Sequence, residues 1–295
     1  MQNYFYSNLI MESSAIKRTD LSKIASDCYS REIKEGIEIC RLNICGENDK
    51  KKFGIECGNY VTIYTKGITG YTEFAIENIA KIVSEELTNL INLHSKKPKN
   101  RSNILIAGLG NREVTPDSLG VSAAEKLNVT RHVKIIDKNM FDATQSCALS
   151  SVCCGVFGKT GVEALEFLRG LVSQICPDII IAVDALAARE YSRLGSVIQL
   201  SDAGIVPGSG IGNRRDEISL NTLGVPVISI GVPTVVSAAT FVCDSLEFGG
   251  YSNLDKRMRD RLDGLKNLFV TPKDCDTLVM SSARLIALSI ENSLL

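Results

Sequence analysis

Three short apolar runs constrain this chain more than any other feature: Asn103-Ile104-Leu105-Ile106-Ala107, Asp178-Ile179-Ile180-Ile181-Ala182-Val183 and Pro226-Val227-Ile228-Ser229-Ile230. They are nearly continuous rather than alternating, which suits strands covered by helices on both faces, as in a parallel sheet. Helical spacing separates them, for example over Val162 to Ile175. This order predicts an α/β fold with a mostly parallel central sheet flanked by helices. On the N-terminal side, Ile37 to Leu42 and Tyr60 to Tyr64 have the period of additional, antiparallel strands, and Ala75 to Ile91 has the period of a helix. Thr271-Pro272 reads as a cap and first turn opening a last helix through Leu288. The stretch before Ser30 is polar and weakly periodic and is expected to be an extended, accessible arm.

With 295 residues, 44% of them hydrophobic, the chain can bury a full core, and a single α/β domain after the arm is expected. The formal net charge of −1 gives no global attraction to nucleic acid or to an anionic membrane, so direct nucleic-acid or membrane binding is not expected. No apolar stretch reaches the ~20 residues that span a bilayer. The N-terminus lacks a basic leader and a long apolar run, which predicts an intracellular protein. The ten cysteines include no CxxC pair and read as reduced and structural.

Ligands of open α/β sheets gather at the carboxyl ends of strands, and three polar segments fall there: Gly108 to Asp117, Asp184 to Arg189, and Ser201 to Arg215. Neither GxGxxG nor GxxxxGKS occurs in its strand-to-helix setting, which argues against a nucleotide. The only histidines, His94 and His132, read as solvated, so a Ser or Cys triad and an HExxH zinc site are disfavoured. Carboxylates remain. Asp184 follows an apolar strand, where burial would raise its pKa. Asp117 follows Thr115-Pro116 and is expected in the first turn of a helix, where the dipole favours its anion. Two acids in opposing environments can divide one proton and perform acid–base hydrolysis. The same positions also suit a helix cap and a turn former, Asp202 shares that ambiguity, and Arg214-Arg215 reads either as a solvated pair or as a pocket for an acidic side chain.

At these segments the chain resembles the germination protease family, or spore endopeptidases. The resemblance is carried by RTDL at 18–21, GLGNREVTPDSLG at 108–120, VDALAARE at 183–190, IQLSDAGIVPGSGIGNRRDEIS at 198–219, LGVPVISIGVPTVV at 223–236 and VTPKDCD at 270–276. It implies an atypical aspartic endopeptidase, without metal or other cofactor, that cleaves small acid-soluble spore proteins in the spore core. It also implies a homotetramer made in the forespore as a zymogen. On this sequence the two essential aspartates of the family fall on Asp117 and Asp184. Gly110, Asn111, Arg189, Arg193, Asp202, Arg214 and Arg215 are candidates for substrate binding. Residues 1–20 become a propeptide removed between Asp20 and Leu21, leaving a domain of 21–295. Two other readings compete: a metal-dependent peptidase of the hydrogenase-maturation type, and a spore protein that keeps the fold without catalysis.

Overall fold

A computed structural model describes residues 4–13, 16, 28–95, 97–98, 101–144, 147–211, 215–251 and 253–294. Arg214, Asp20 and Leu21 lie outside the described residues. The strands are β1 (Tyr29–Lys34), β2 (Ile37–Ile44), β3 (Gly58–Tyr64), β4 (Asn103–Gly108), β5 (Ala148–Cys153), β6 (Ile179–Ala188), β7 (Val197–Ser201), β8 (Val227–Ser237) and β9 (Phe269–Val270). They form one mixed sheet in the order β1-β2-β3-β7-β8-β6-β4-β5, with β9 paired to β8. The three apolar runs are β4, β6 and β8, adjacent and parallel as their composition predicts, and β5 extends that block. The antiparallel block β1-β2-β3 joins it through β7, which runs antiparallel to both β3 and β8.

Helices α1 (Glu73–His94), α2 (Leu119–Ala124) and α5 (Cys275–Leu294) cover one face of the sheet. Their apolar side chains, among them Ile79, Val83, Leu119, Leu285 and Ile286, pack on Ile104, Ile106, Ile179, Ile181 and Ile228. The other face of the parallel block packs on α3 (Ala164–Ile175), through Leu105, Ile180, Ala182, Leu165 and Leu168. Thus Ile180 and Ile181 point to opposite cores, which explains why β6 could not alternate. The helix α4 (Ala238–Phe248) follows β8 directly.

Three expectations are corrected. Residues 4–13 are not an accessible arm: Leu9 packs with Leu186, Ala188 and Val236, and Ile10 with Leu42, Ile44 and Tyr60. They cover apolar sheet surface that α3 does not reach, so burial orders a segment with little periodicity of its own. The last helix begins at Cys275 rather than at Thr271, because Phe269–Val270 continues as a strand on β8 and the Thr271 hydroxyl donates to the Thr234 carbonyl at 2.9 Å. His94 is not simply solvated: α1 runs on past Ile91, and His94 Nε2 lies 2.8 Å from Asp202 Oδ2.

Candidate active site

β4 ends at Gly108, opposite Val183 of β6, while β6 continues to Ala188 beside β8. Asp184 is the first residue past that end, so its side chain enters the cleft opened where β4 departs. Burial to 8% exposure pushes its carboxyl up to about 8, the charge of Asp117 adds to the rise, and a hydrogen bond from the Ala185 N–H at 2.9 Å opposes it. The strand is longer than the apolar run that announced it, because β8 supports it on one side beyond Val183.

Asp117 is brought to the same cleft by the loop after β4. Gly110 makes that loop possible, with a φ of +98° and its Cα so near the Asp117 carbonyl that a Cβ would sit 2.0 Å from its oxygen. The Asn111 N–H donates to the Asp117 carbonyl at 3.1 Å and to Asp117 Oδ2 at 2.8 Å. Asp117 closes a single 3-10 turn, Thr115–Asp117, that leads into α2. Its anion is not favoured as the sequence reading expected: desolvation lifts the carboxyl to about 6, against one opposing N–H from Asn111. A turn of three residues adds little dipole, and burial wins.

Two close contacts hold the two acids in register. Gly120 in α2 lies against β6 and the β4 end, so near that a Cβ would be 2.1 Å from the Val183 carbonyl oxygen. Thr234, fully buried, donates from Oγ1 to the Pro116 carbonyl at 2.6 Å. Thr234 can do so because Leu186 pairs with Pro233 and Ala187 with Val235, leaving Thr234 as a bulge aimed at the turn. Sequence reasoning missed it; Pro233 inside an apolar run was the available signal.

The cleft has a volume of 260 Å3. Asp117, Asp184 and Arg215 line it together with the apolar Val114, Phe157 and Phe269. Arg215 is held by Glu163 at 3.2 Å and by the Phe157 ring at 5.4 Å. The other described candidates stand elsewhere or serve the scaffold. Gly110 and Asn111 shape the Asp117 loop. Arg189 bonds Asp244 at 2.8 Å and also Glu247, and its guanidinium lies 3.7 Å from the Phe5 ring centre. Arg193 lies by Glu190 at 3.6 Å and over Tyr64. Asp202 follows β7, which runs against β8, and binds the Asn59 N–H at 2.6 Å, the Asn59 side-chain amide at 2.7 Å and His94. Neither Arg189, Arg193 nor Asp202 lines the cleft. Among the described residues no group of three His, Cys, Asp or Glu side chains is placed to hold a metal ion, and no helix is long and apolar enough to cross a membrane.

A mixed sheet carrying two desolvated carboxylates in one cleft at its carboxyl end defines an α/β protein equipped for acid–base chemistry. Comparison with known proteins supplies the family. The germination protease family model matches residues 6–263. The chain is 37% identical to a germination protease of Caldanaerobacter subterraneus and 35% identical to one of Clostridium acetobutylicum, in each case over 94% of both chains. It is 40% identical to one of Bacillus licheniformis over 77% of this chain and 60% of that protein. The chain belongs to the germination protease family, and is a protease.

Proposed function

We propose that the chain is an endopeptidase of the spore core that begins the breakdown of small acid-soluble spore proteins, with Asp117 and Asp184 as an acid–base pair. The observation that carries this reading is the convergence of the two acids in one cleft under unequal desolvation, which lifts one carboxyl to about 6 and the other to about 8. Between these values Asp117 is ionised and Asp184 holds a proton. The Asn111 N–H occupies Asp117 Oδ2 and the Ala185 N–H occupies Asp184 Oδ1. Asp117 Oδ1 is then the base and Asp184 Oδ2 the acid. Water loses a proton to Asp117 as its oxygen bonds to the peptide carbonyl carbon. The C–N bond then breaks as Asp184 gives its proton to the departing nitrogen, and return of the Asp117 proton to Asp184 resets the pair.

Arg215 is the described cleft cation, and in this reading it receives an acidic residue before the cut by exchanging Glu163 for the substrate carboxylate. The precursor is held inactive by its own N-terminal segment until residues 1–20 are removed between Asp20 and Leu21. Asn8 lining the same cleft as both aspartates supports this. The protein works as a homotetramer, for which the exposed Ile135, Ile136 and Met140 offer apolar surface.

Cleavage of a peptide containing Thr-Glu-Ile-Ala, followed by mass spectrometry, tests the reading. Asp117→Asn and Asp184→Asn should each lower kcat by about 100-fold or more with the fold intact. Arg215→Glu should slow the Glu peptide far more than its Gln counterpart. Near-normal turnover by either Asn variant sinks the pair, and equal loss on both peptides removes Arg215 from specificity.

A further inference from the structure

β6 carries an edge that the sheet itself does not use. The last β4 bond to it is from the Leu109 N–H to the Val183 carbonyl at 2.9 Å, and beyond that β6 is paired only on its β8 side, as far as Ala188 opposite Val236. Main-chain groups of a strand turn to alternate sides, so Ala185 and Ala187 face the same side as Val183. Asn8 fills the Ala187 position as a partner strand would: its N–H donates to the Ala187 carbonyl at 2.9 Å, and its Oδ1 accepts from the Ala187 N–H at 2.8 Å. The mimicry is partial, since the returning acceptor is a side-chain oxygen and Asn8 engages this one residue. An edge of this kind is a template for an added strand.

We infer that the β6 edge at Ala185 and Ala187 is the docking edge for the substrate, bound as an extended peptide that adds to the sheet in the place Asn8 now holds. Small residues make room for a main chain: Ala185 and Ala187 on the edge itself, and Gly155 and Gly208 elsewhere in the lining of the same cleft. The Ala185 N–H is already committed to Asp184. The edge therefore offers the Ala185 carbonyl and both main-chain groups of Ala187, and a peptide strand satisfies them with two N–H groups two residues apart and one carbonyl between or beside them. A peptide so placed runs past Asp184, which precedes Ala185 on the same strand. This inference rests on the peptidase reading for the identity of the occupant, and it adds the mode of binding: recognition is through the backbone at these positions, with side chains selected by the apolar rim and Arg215.

The test separates the two claims. The full chain carrying Asp184→Asn and Asn8→Ala is titrated with a fluorescent ten-residue peptide containing Thr-Glu-Ile-Ala, and with a series in which each amide nitrogen in turn is methylated. Methylation at two positions two residues apart should weaken binding about tenfold each, while the amide between them tolerates it within about twofold. Asn8→Ala should also tighten binding of the parent peptide relative to the chain that keeps Asn8. A methylation profile without the two-residue period, an Asn8→Ala variant with unchanged affinity, or no binding of any peptide overturns the inference. If Asn8→Ala impairs folding, the same profile measured at higher peptide concentration on Asp184→Asn alone decides. Cleavage of the parent peptide is read separately with Asp184 intact: cleavage without the period sinks the edge and spares the peptidase, whereas the period without cleavage does the reverse.

Discussion

Asp184 is an acid in a place that opposes its charge, and that has a cost in stability with a defined pH window. Its carboxyl rises from an ordinary 3.8 to about 8, so between these values the native state holds a proton that the unfolded chain has released. Stability contributed by this group is therefore full at low pH and is lost as pH rises towards about 8. Asp184→Asn should be more stable than the parent protein at pH 9, by on the order of a few kcal/mol, with the advantage vanishing near pH 4. Thermal melts of the two proteins across that range check this; an advantage independent of pH would remove burial of the charge as its cause. Asp117→Asn, by removing the neighbouring charge, should move the window downward. At this scale the sequence revealed the two acids but not their partners. Asp184 was legible because an apolar run names its strand, whereas the environment of Asp117 depends on a loop folded back through Asn111. Arg189 and Asp202 carried the same polar signal as Arg215, and only the fold sorts them: one stacks on Phe5, another binds Asn59 and His94, and the third reaches the cleft.

Elements were legible in proportion to how fully their burial is written into their own side chains. The runs of β4, β6 and β8 are buried on both faces, and α1 and α3 carry a full apolar stripe, so each declares itself. By contrast β1 exposes most of its side chains, β5 is written Ala148-Leu149-Ser150-Ser151-Val152-Cys153, and β7 has five residues; these are strands because neighbours offer them pairing. The β8 bulge belongs to the same class of feature, set by register between strands and not by the residues alone. Its hydroxyl connects β8 to the turn that holds Asp117, which makes the connection testable. Thr234→Val keeps shape but leaves the Pro116 carbonyl without that donor. Stability should fall by about 1–2 kcal/mol and kcat by about tenfold, with Thr234→Ser recovering much of both. A Thr234→Val enzyme with reduced stability but unchanged kcat at its own optimum would confine Thr234 to a structural role.

For the whole molecule, the N-terminal segment meets the cleft at Asn8, which lines it together with both aspartates. Its anchors are both apolar, the buried Tyr4, Leu9 and Ile10, and polar. The buried Glu12 carboxylate accepts the Arg189 and Glu190 N–H groups at 2.6 and 3.0 Å, Ile10 donates to Gln199 at 2.7 Å, and Thr240 donates to the Tyr4 carbonyl at 2.6 Å. Beneath it the packing is incomplete, with a cavity of 490 Å3 lined by Ser7, Asn8, Leu9, Glu12, Gln199 and Gly231. Lifting the segment gives up the apolar contacts of Leu9 and Ile10 together with these hydrogen bonds, but none of the strand pairing, so opening should be local and should leave the sheet intact. Glu12 is the anchor whose loss should matter most, because its carboxylate is the acceptor for two main-chain N–H groups just past the end of β6. If the segment is the propeptide, the Glu12→Ala precursor should process several-fold faster than the parent and yield a product beginning at Leu21. Combining Glu12→Ala with Asp184→Asn should leave the chain full length, because releasing the segment does not supply the acid that makes the cut. Gel time courses with N-terminal sequencing read both outcomes. Processing at the parental rate in Glu12→Ala would show that the anchor does not restrain the segment, and a Leu21 terminus in the doubly substituted protein, purified free of other proteases, would end the case for self-cleavage.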